Sequence, residues 1–232
     1  MRRSSLLSAP LVTAALALTL TQDPGGTVAI QLTGAEAPPG GWRLVTRTIE
    51  TRREGGRDYL AFVGEPDTVG MAWSPALAFA DGEIEFDVRG RDIPGHSFVG
   101  IAFHVQDETT YDAVYLRPFN FRAADSARAA HSVQFVSAPE FPWDRLRTER
   151  TGWFEKAVPP ALDPNGWIHV KVVSHGPWVD VFLDRSATPA LSVVNPSPHR
   201  SGGVGYFVHG TSVGDFRDLV IRPYTGPAWR PR

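Results

Sequence analysis

Val99-Gly-Ile-Ala-Phe-His-Val105 is followed, after a short polar turn, by Tyr111-Asp-Ala-Val-Tyr-Leu-Arg-Pro118. Side chains alternate along a strand, so Val114 and Leu116 point one way while Tyr111, Tyr115 and Arg117 point the other. The pair reads as a β-hairpin with an aliphatic face and a second face carrying His104, Tyr111, Tyr115 and Arg117. Histidine, tyrosine and arginine in place of scattered Lys and Glu mark that second face as a candidate binding surface.

Outward from this hairpin the chain continues as short alternating runs. Gly82-Glu-Ile-Glu-Phe-Asp-Val88 places Ile84, Phe86 and Val88 on one side. Trp42 to Ile49, Arg57 to Val63, the short Gly70 to Trp73 and His131 to Val136 read as further strands. Trp167 to Val173 and Trp178 to Leu183 form a second hairpin around Ser-His-Gly-Pro, and Gly203 to Val208 and Asp215 to Arg222 close the series. About ten short strands with Gly/Pro turns and no sustained 3.6-residue period predict an all-β, two-sheet antiparallel jelly-roll sandwich with long loops. Two connections break the rhythm. Residues 119–130 hold Arg122, Asp125 and Arg128. Residues 137–166 hold Glu140, Phe141, Trp143, Arg145, Arg147, Arg150, Trp153 and Phe154. Structureless loops of the second length are uncommon and usually functional, and its tryptophans argue against disorder. A helical turn fits 143–150, confined by Pro142 and Gly152.

Composition bounds the class. The chain has 232 residues, a net charge of −2, no cysteine, 7 Trp, 13 Phe and 5 Tyr. Without cysteine there is no disulfide and no thiolate chemistry, and the length suffices to bury a core without either. The charge balance gives no electrostatic case for nucleic acid or an anionic membrane. Arg2 and Arg3 precede an apolar run from Leu6 to Leu20, with Ala15-Leu-Ala17 as a small-residue cleavage site. Residues 1–21 are therefore expected to be a signal peptide rather than a span. Residues 22–41, rich in Gly, Pro and Thr, are expected to be a flexible lead-in, 42–223 the jelly-roll domain and 224–232 a tail. The mature protein is expected to be secreted or periplasmic, with no membrane span and an undetermined oligomeric state.

Several stretches together carry a family resemblance: AFADGEIEFDVRG (78–90), VGIAFHV (99–105), TYDAVYLRP (110–118), HSVQFVS (131–137), WIHVKVVSHGPWVDVFLD (167–184) and GGVGYFVHGTSVGDFRDLVIRP (202–223). The chain from about 42 to 223 resembles the concanavalin A-like lectin/glucanase superfamily. It is most like bacterial secreted laminin-G-like and 3-keto-disaccharide hydrolase-like domains. The resemblance implies two sheets, one of them concave, with glycans bound on the concave side. It does not separate lectin from enzyme, because folds host many functions.

The candidate residues follow. His104, Tyr115 and Arg117 are the candidate catalytic set: a His or Tyr base, and an Arg to neutralise a carboxylate or developing oxyanion. Tyr111, Arg122, His131, Gln134, Glu140, Trp143, Arg145 and Trp153 are candidate carbohydrate contacts, the tryptophans as stacking platforms. His131 and Gln134 differ in strand parity, so one of them points away unless a bulge intervenes. Glu83, Glu85 and Asp87 are spaced roughly 6–7 Å apart along one strand face, within the range of a glycosidase carboxylate pair, but read as a solvated outer face. No zinc-type array, nucleotide loop or Gly-x-Ser-x-Gly elbow is present. Asp215, where the resemblance implies a structural calcium, has no second ligand to accompany it; no metal or cofactor is expected. The leading expectation is a carbohydrate-binding protein. The alternatives are a glycoside-cleaving hydrolase or lyase, and a surface interaction module without a sugar ligand.

Overall fold

The computed structural model describes residues 27–64, 67–159 and 161–226. The expected signal peptide, residues 22–26 of the lead-in and residues 227–232 of the tail lie outside the described residues. Two antiparallel sheets face each other. One runs β13 (Leu191–Val194), β12 (Trp178–Leu183), β11 (Ile168–His175), β6 (Gly82–Arg89), β15 (Asp215–Pro223), β4 (Arg57–Val63), β3 (Thr48–Glu54), with β1 (Ile30–Gln31) also paired to β15. The other runs β10 (Glu155–Lys156), β9 (Val133–Ala138), β8 (Tyr111–Leu116), β7 (Val99–Val105), β14 (Gly202–Val208), β5 (Gly70–Phe79), β2 (Arg43–Val45). Two short helices, α1 (Ser126–Ala129) and α2 (Trp143–Glu149), lie in the long connections.

Alternation built this core. Ile84, Phe86 and Val88 of the first sheet meet Val99, Ile101, Phe103, Val114 and Leu116 of the second in one buried cluster. Each such side chain contributes roughly 1.5–3 kcal/mol when fully removed from water. The outer faces differ. On the first sheet, Glu85 and Asp87 alternate outward and pair with His169, Arg217 and Arg222, the solvated face expected of an alternating strand. On the second sheet, Met71, Trp73, Ala102, Tyr111, Ala113, Tyr115, Val136 and Phe207 form a second buried cluster.

Several boundaries depart from the expected ones. The run 42–49 is two strands, because Thr46 takes a left-handed backbone (φ 53°) and the chain crosses from one sheet to the other. The lead-in is held from Thr27 onward. Its hydroxyl donates to the Asp81 carbonyl at 2.5 Å, Ile30 pairs with Ile221, and Leu32 is buried in the core. Residues 191–194, not anticipated as a strand, form an edge strand whose Leu191 and Val193 face inward. Asp215 Oδ2 accepts from both Arg89 (2.9 Å) and Arg91 (3.1 Å).

Candidate functional site

The outer face of the seven-stranded sheet carries a cavity of about 420 Å³ where β7, β8, β9 and β14 meet their loops. Its lining includes Phe98, Tyr115, Arg117, Phe119, Asn120, Arg128, His131, Trp143, Arg147 and His209, with Asp67 and two glycines.

The floor comes from strand parity. Tyr115 is an outward position of β8; its ring stacks on Phe207 of β14 (5.7 Å, 29°) and meets Phe98 edge-on. Arg117 follows just past the strand and lies over the Tyr115 and Phe98 rings at 5.0 and 5.6 Å. Its guanidinium donates to Tyr115 Oη (3.1 Å), the His131 carbonyl (2.9 Å) and Gln134 Oε1 (3.3 Å). β8 can lie this close to β7 because position 100 is glycine: a Cβ there would fall 2.0 Å from the Val114 carbonyl oxygen.

The wall comes from the long loop. In α2, Trp143 and Arg147 lie four apart on one face and both line the cavity, the Arg147 guanidinium 4.8 Å from the Trp143 ring. Leu146 turns into the main core, and Arg145 pairs with Glu149 on the solvent face. The chain then returns as β10, which sets Glu155 opposite Gln134. Glu155 is buried and accepts both Arg147 Nε (2.9 Å) and Nη2 (2.7 Å). His131 Nδ1 lies 2.9 Å and Arg117 Nη1 3.8 Å from the same carboxylate. One buried anion thus faces two guanidiniums and an imidazole.

Electrostatics follow from burial. Loss of water pushes the Tyr115 hydroxyl above its ordinary value, against the smaller downward pull of Arg117 and Arg147. It is a phenol at neutral pH, suited to hydrogen bonding and unsuited to serve as a base. Burial lowers Arg117, opposed by Tyr115 and Glu155. Burial also lowers His209, with Arg117 and Arg47 adding to the effect and Asp67 opposing it. Asn120 is buried; its Nδ2 donates to the His131 carbonyl at 3.4 Å, while its Oδ1 has no partner among the described residues.

The expected site residues separate into three groups. Tyr115, Arg117, His131 and Trp143 converge on the cavity. His131 precedes β9 rather than lying in it, so the parity conflict with Gln134 does not arise. Gln134 is beneath the floor, donating to the carbonyls of Phe135 (2.9 Å) and Phe154 (3.2 Å) while accepting from Arg117; it positions that arginine. Tyr111 packs on Phe207 in the outer cluster and does not line the cavity.

The remaining candidates are elsewhere. His104 was expected beside Tyr115, but β7 carries a bulge there, seen as a register shift against β14 between Gly203 and Gly205. His104 adopts φ 51°, turns inward, and sends Val105 outward in its place. It is buried, stacked on Phe79, with Nδ1 2.8 Å from Asp112 Oδ2, which also accepts from Asn195 at 2.5 Å. Arg122 is exposed outside the lining. Arg145 is tied to Glu149 and the Glu140 carbonyl, and Glu140 lies by Ser197–His199 across a separate small recess. Trp153, 69 % exposed, faces a different groove with Trp178 and Val194. Sequence reasoning missed Glu155, Asn120, Phe98, Phe119 and His209. The signal for Glu155 was faint: one carboxylate between Trp153-Phe154 and Lys156.

No family model matches the chain, and no curated protein matches it. Solved structures do. The carbohydrate-binding module CBM66 from Bacillus subtilis superposes with a TM-score of 0.55 at 16% identity, over 82% of this chain and 96% of that one. The two share a two-sheet antiparallel jelly-roll fold. The β-glucanase of Bacillus licheniformis (TM-score 0.53, 10% identity, 86% and 99% coverage) has the same jelly roll. So does the VIP36 exoplasmic/lumenal domain in its Ca2+/Man3GlcNAc-bound form (0.52, 12%, 83% and 91%). Identities this low speak for architecture alone. Among the described residues no helix is long and apolar enough to cross a membrane.

Proposed function

We propose that the protein binds a carbohydrate in the cavity floored by Tyr115 and Arg117 and walled by Trp143 and Arg147. The observation that carries this reading is an aromatic-walled recess lined by Asn120, whose buried Oδ1 has no partner among the described residues. A buried acceptor without a donor costs about 1–3 kcal/mol, and a sugar hydroxyl supplies the missing donor. Phe98, Phe119 and Trp143 offer apolar faces to pyranose C–H groups. A volume of about 420 Å³ suits one or two sugar rings. The jelly rolls of similar shape include a carbohydrate-binding module and a glycan-bound lumenal domain, an analogy of fold that favours the same ligand class. We place the protein outside the cytoplasm, after removal of residues 1–21.

A second reading, glycoside cleavage, rests on His131. Its Nδ1 lies 2.9 Å from Glu155 without hydrogen-bond geometry, and a small rotation of the ring that aligns the two would leave Nε2 to take a proton. With a ketone at C3 acidifying the C2–H, such a base would take the C2 proton as the C1–O glycosidic bond breaks, leaving a C1=C2 double bond and an aglycone oxygen that takes its proton from water, with no carboxylate pair required.

A glycan panel that includes 3-keto-glycosides, followed by thermal shift and by product formation, tests both. Binding weakened by about 1 kcal/mol or more in Trp143→Ala supports the sugar site. Turnover lost in His131→Ala makes it an enzyme. A panel without shift or turnover rejects both and leaves the interaction-module reading.

A further inference from the structure

We infer that the sugar this cavity takes is acidic, a hexuronate whose carboxylate is received by Arg128 and the free edge of Arg147. The inference rests on the carbohydrate reading and adds the charge of the ligand.

The charge balance of the lining is uneven. Among the described residues three guanidiniums, Arg117, Arg128 and Arg147, line the cavity. Against them stand Asp67, exposed on the rim, and Glu155, buried behind the wall. Glu155 is already shared between Arg147, Arg117 and His131. One positive charge is left over before either histidine is counted.

The surplus also has a place. Arg117 spends its Nη groups on Tyr115, Gln134 and the His131 carbonyl, so it is fixed and occupied. Arg147 gives Nε and Nη2 to Glu155, and its Nη1 takes no acceptor among the described residues. Arg128, in the last turn of α1, has no hydrogen bond or ion pair from its side chain among them. An arginine facing open water is ordinary. Arg128, exposed on the rim, and the Nη1 edge of the half-buried Arg147 border a recess walled by Phe98, Phe119 and Trp143, which shields a carboxylate held there from part of the solvent and strengthens a charge-assisted bond. A guanidinium presents paired N–H donors that match a planar carboxylate. A neutral sugar leaves those donors to water; a uronate uses them, while its hydroxyls remain for Asn120 Oδ1 and the histidines.

The test is calorimetric titration of the full chain with trisaccharides of galacturonate, glucuronate and mannuronate, each beside its methyl ester and a sulfated neutral counterpart. We expect one acid to bind about tenfold or more tightly than its ester, the scale of one charge-assisted hydrogen bond. Arg128→Gln should bring the acid to the affinity of the ester, while Arg52→Gln on β3 leaves both unchanged. Equal affinity for acid and ester overturns the inference and keeps the sugar site. So does an Arg128→Gln effect of equal size on both. A sulfated sugar that binds more tightly than every uronate overturns the carboxylate assignment. Failure of acids, esters and neutral glycans alike overturns the carbohydrate reading itself.

Discussion

Replacing Glu155 with glutamine should lower stability by about 3 kcal/mol, and the size follows from which cations can escape. The Glu155 side chain is 3% exposed and faces Arg147, His131 and Arg117. Removing one member of a buried ion pair costs about 3–5 kcal/mol, mostly from the charge left behind. Arg147 and His131 are 31% and 30% exposed and can relax toward water. Arg117, at 6%, cannot: its guanidinium is held between the Tyr115 and Phe98 rings by bonds to Gln134 and the His131 carbonyl. Its carboxylate partner is 3.8 Å away rather than in contact, and the glutamine amide still accepts one bond from Arg147, so the lower end of that range applies. For a domain of this size about 3 kcal/mol corresponds to a melting temperature lower by roughly 6–12 °C. Calorimetry of Glu155→Gln, Arg117→Met and the double variant reads it. With both charges removed the orphan disappears, so the double variant should be at least about 1 kcal/mol more stable than the sum of the singles. A Glu155→Gln protein melting within about 2 °C of the parent would refute the view that this carboxylate compensates a buried arginine.

Three further outcomes follow from the same geometry. Asp112→Ala strands His104 and Asn195 in the interior and should cost about 2–3 kcal/mol by thermal unfolding. Glycan affinity should stay unchanged, because this network lines no part of the cavity. Gly100→Ala forces a methyl group to within 2.6 Å of the Tyr115 Cα, so β7 and β8 must part. Soluble yield should collapse, or amide exchange along β8 should accelerate, by more than an ordinary overpacking cost of about 1–3 kcal/mol. His209 titrates below its usual 6.5 in the folded protein, so the unfolded chain binds the extra proton first. Stability should therefore fall as pH drops through about 6.5 and level off below the folded-state value; melting curves of His209→Gln should lack that part of the slope.

The sandwich was legible because period-two alternation survives wherever strands are regular. Ile84, Phe86 and Val88 face the core, and Tyr115 and Gln134 share the outer face, as parity requires. Legibility failed at the bulges. One extra residue in β7 exchanges His104 with Val105, and a second irregularity in β15, where Asp218 takes φ 57°, lets Phe216 and Leu219 both face inward. A bulge is specified by the backbone of two strands at once, here by Gly202, where a Cβ would fall 2.4 Å from the His104 carbonyl carbon. No local pattern in 99–105 announces it. The cavity was half legible for a related reason. Tyr115 lies in β8 with Arg117 directly after it, whereas Asn120, His209 and Glu155 come from a turn, the residue after a strand and a two-residue strand.

The outer faces of the two sheets explain why the cavity is where it is. Carboxylates, histidine and arginines on β6, β11 and β15 neutralise one another and tolerate water, so that face needs no cover. The other sheet turns Tyr111, Ala113, Tyr115 and Phe207 outward, and such a face is unfavourable to expose. The long connection supplies cover at one end, and it is fastened there: Leu146, Phe154, Val158 and Leu162 all reach the main core. Fastening Leu146 fixes the adjacent face of α2, which carries Trp143 and Arg147. The wall is therefore ordered before any ligand arrives, and binding does not bear the entropy of ordering a loop. The same anchoring explains why Trp153, past the end of α2 and outside the core, faces water while Trp143 faces the cavity. Two tryptophans ten residues apart, equivalent as sequence, are made different by where the leucine and phenylalanine beside them are buried.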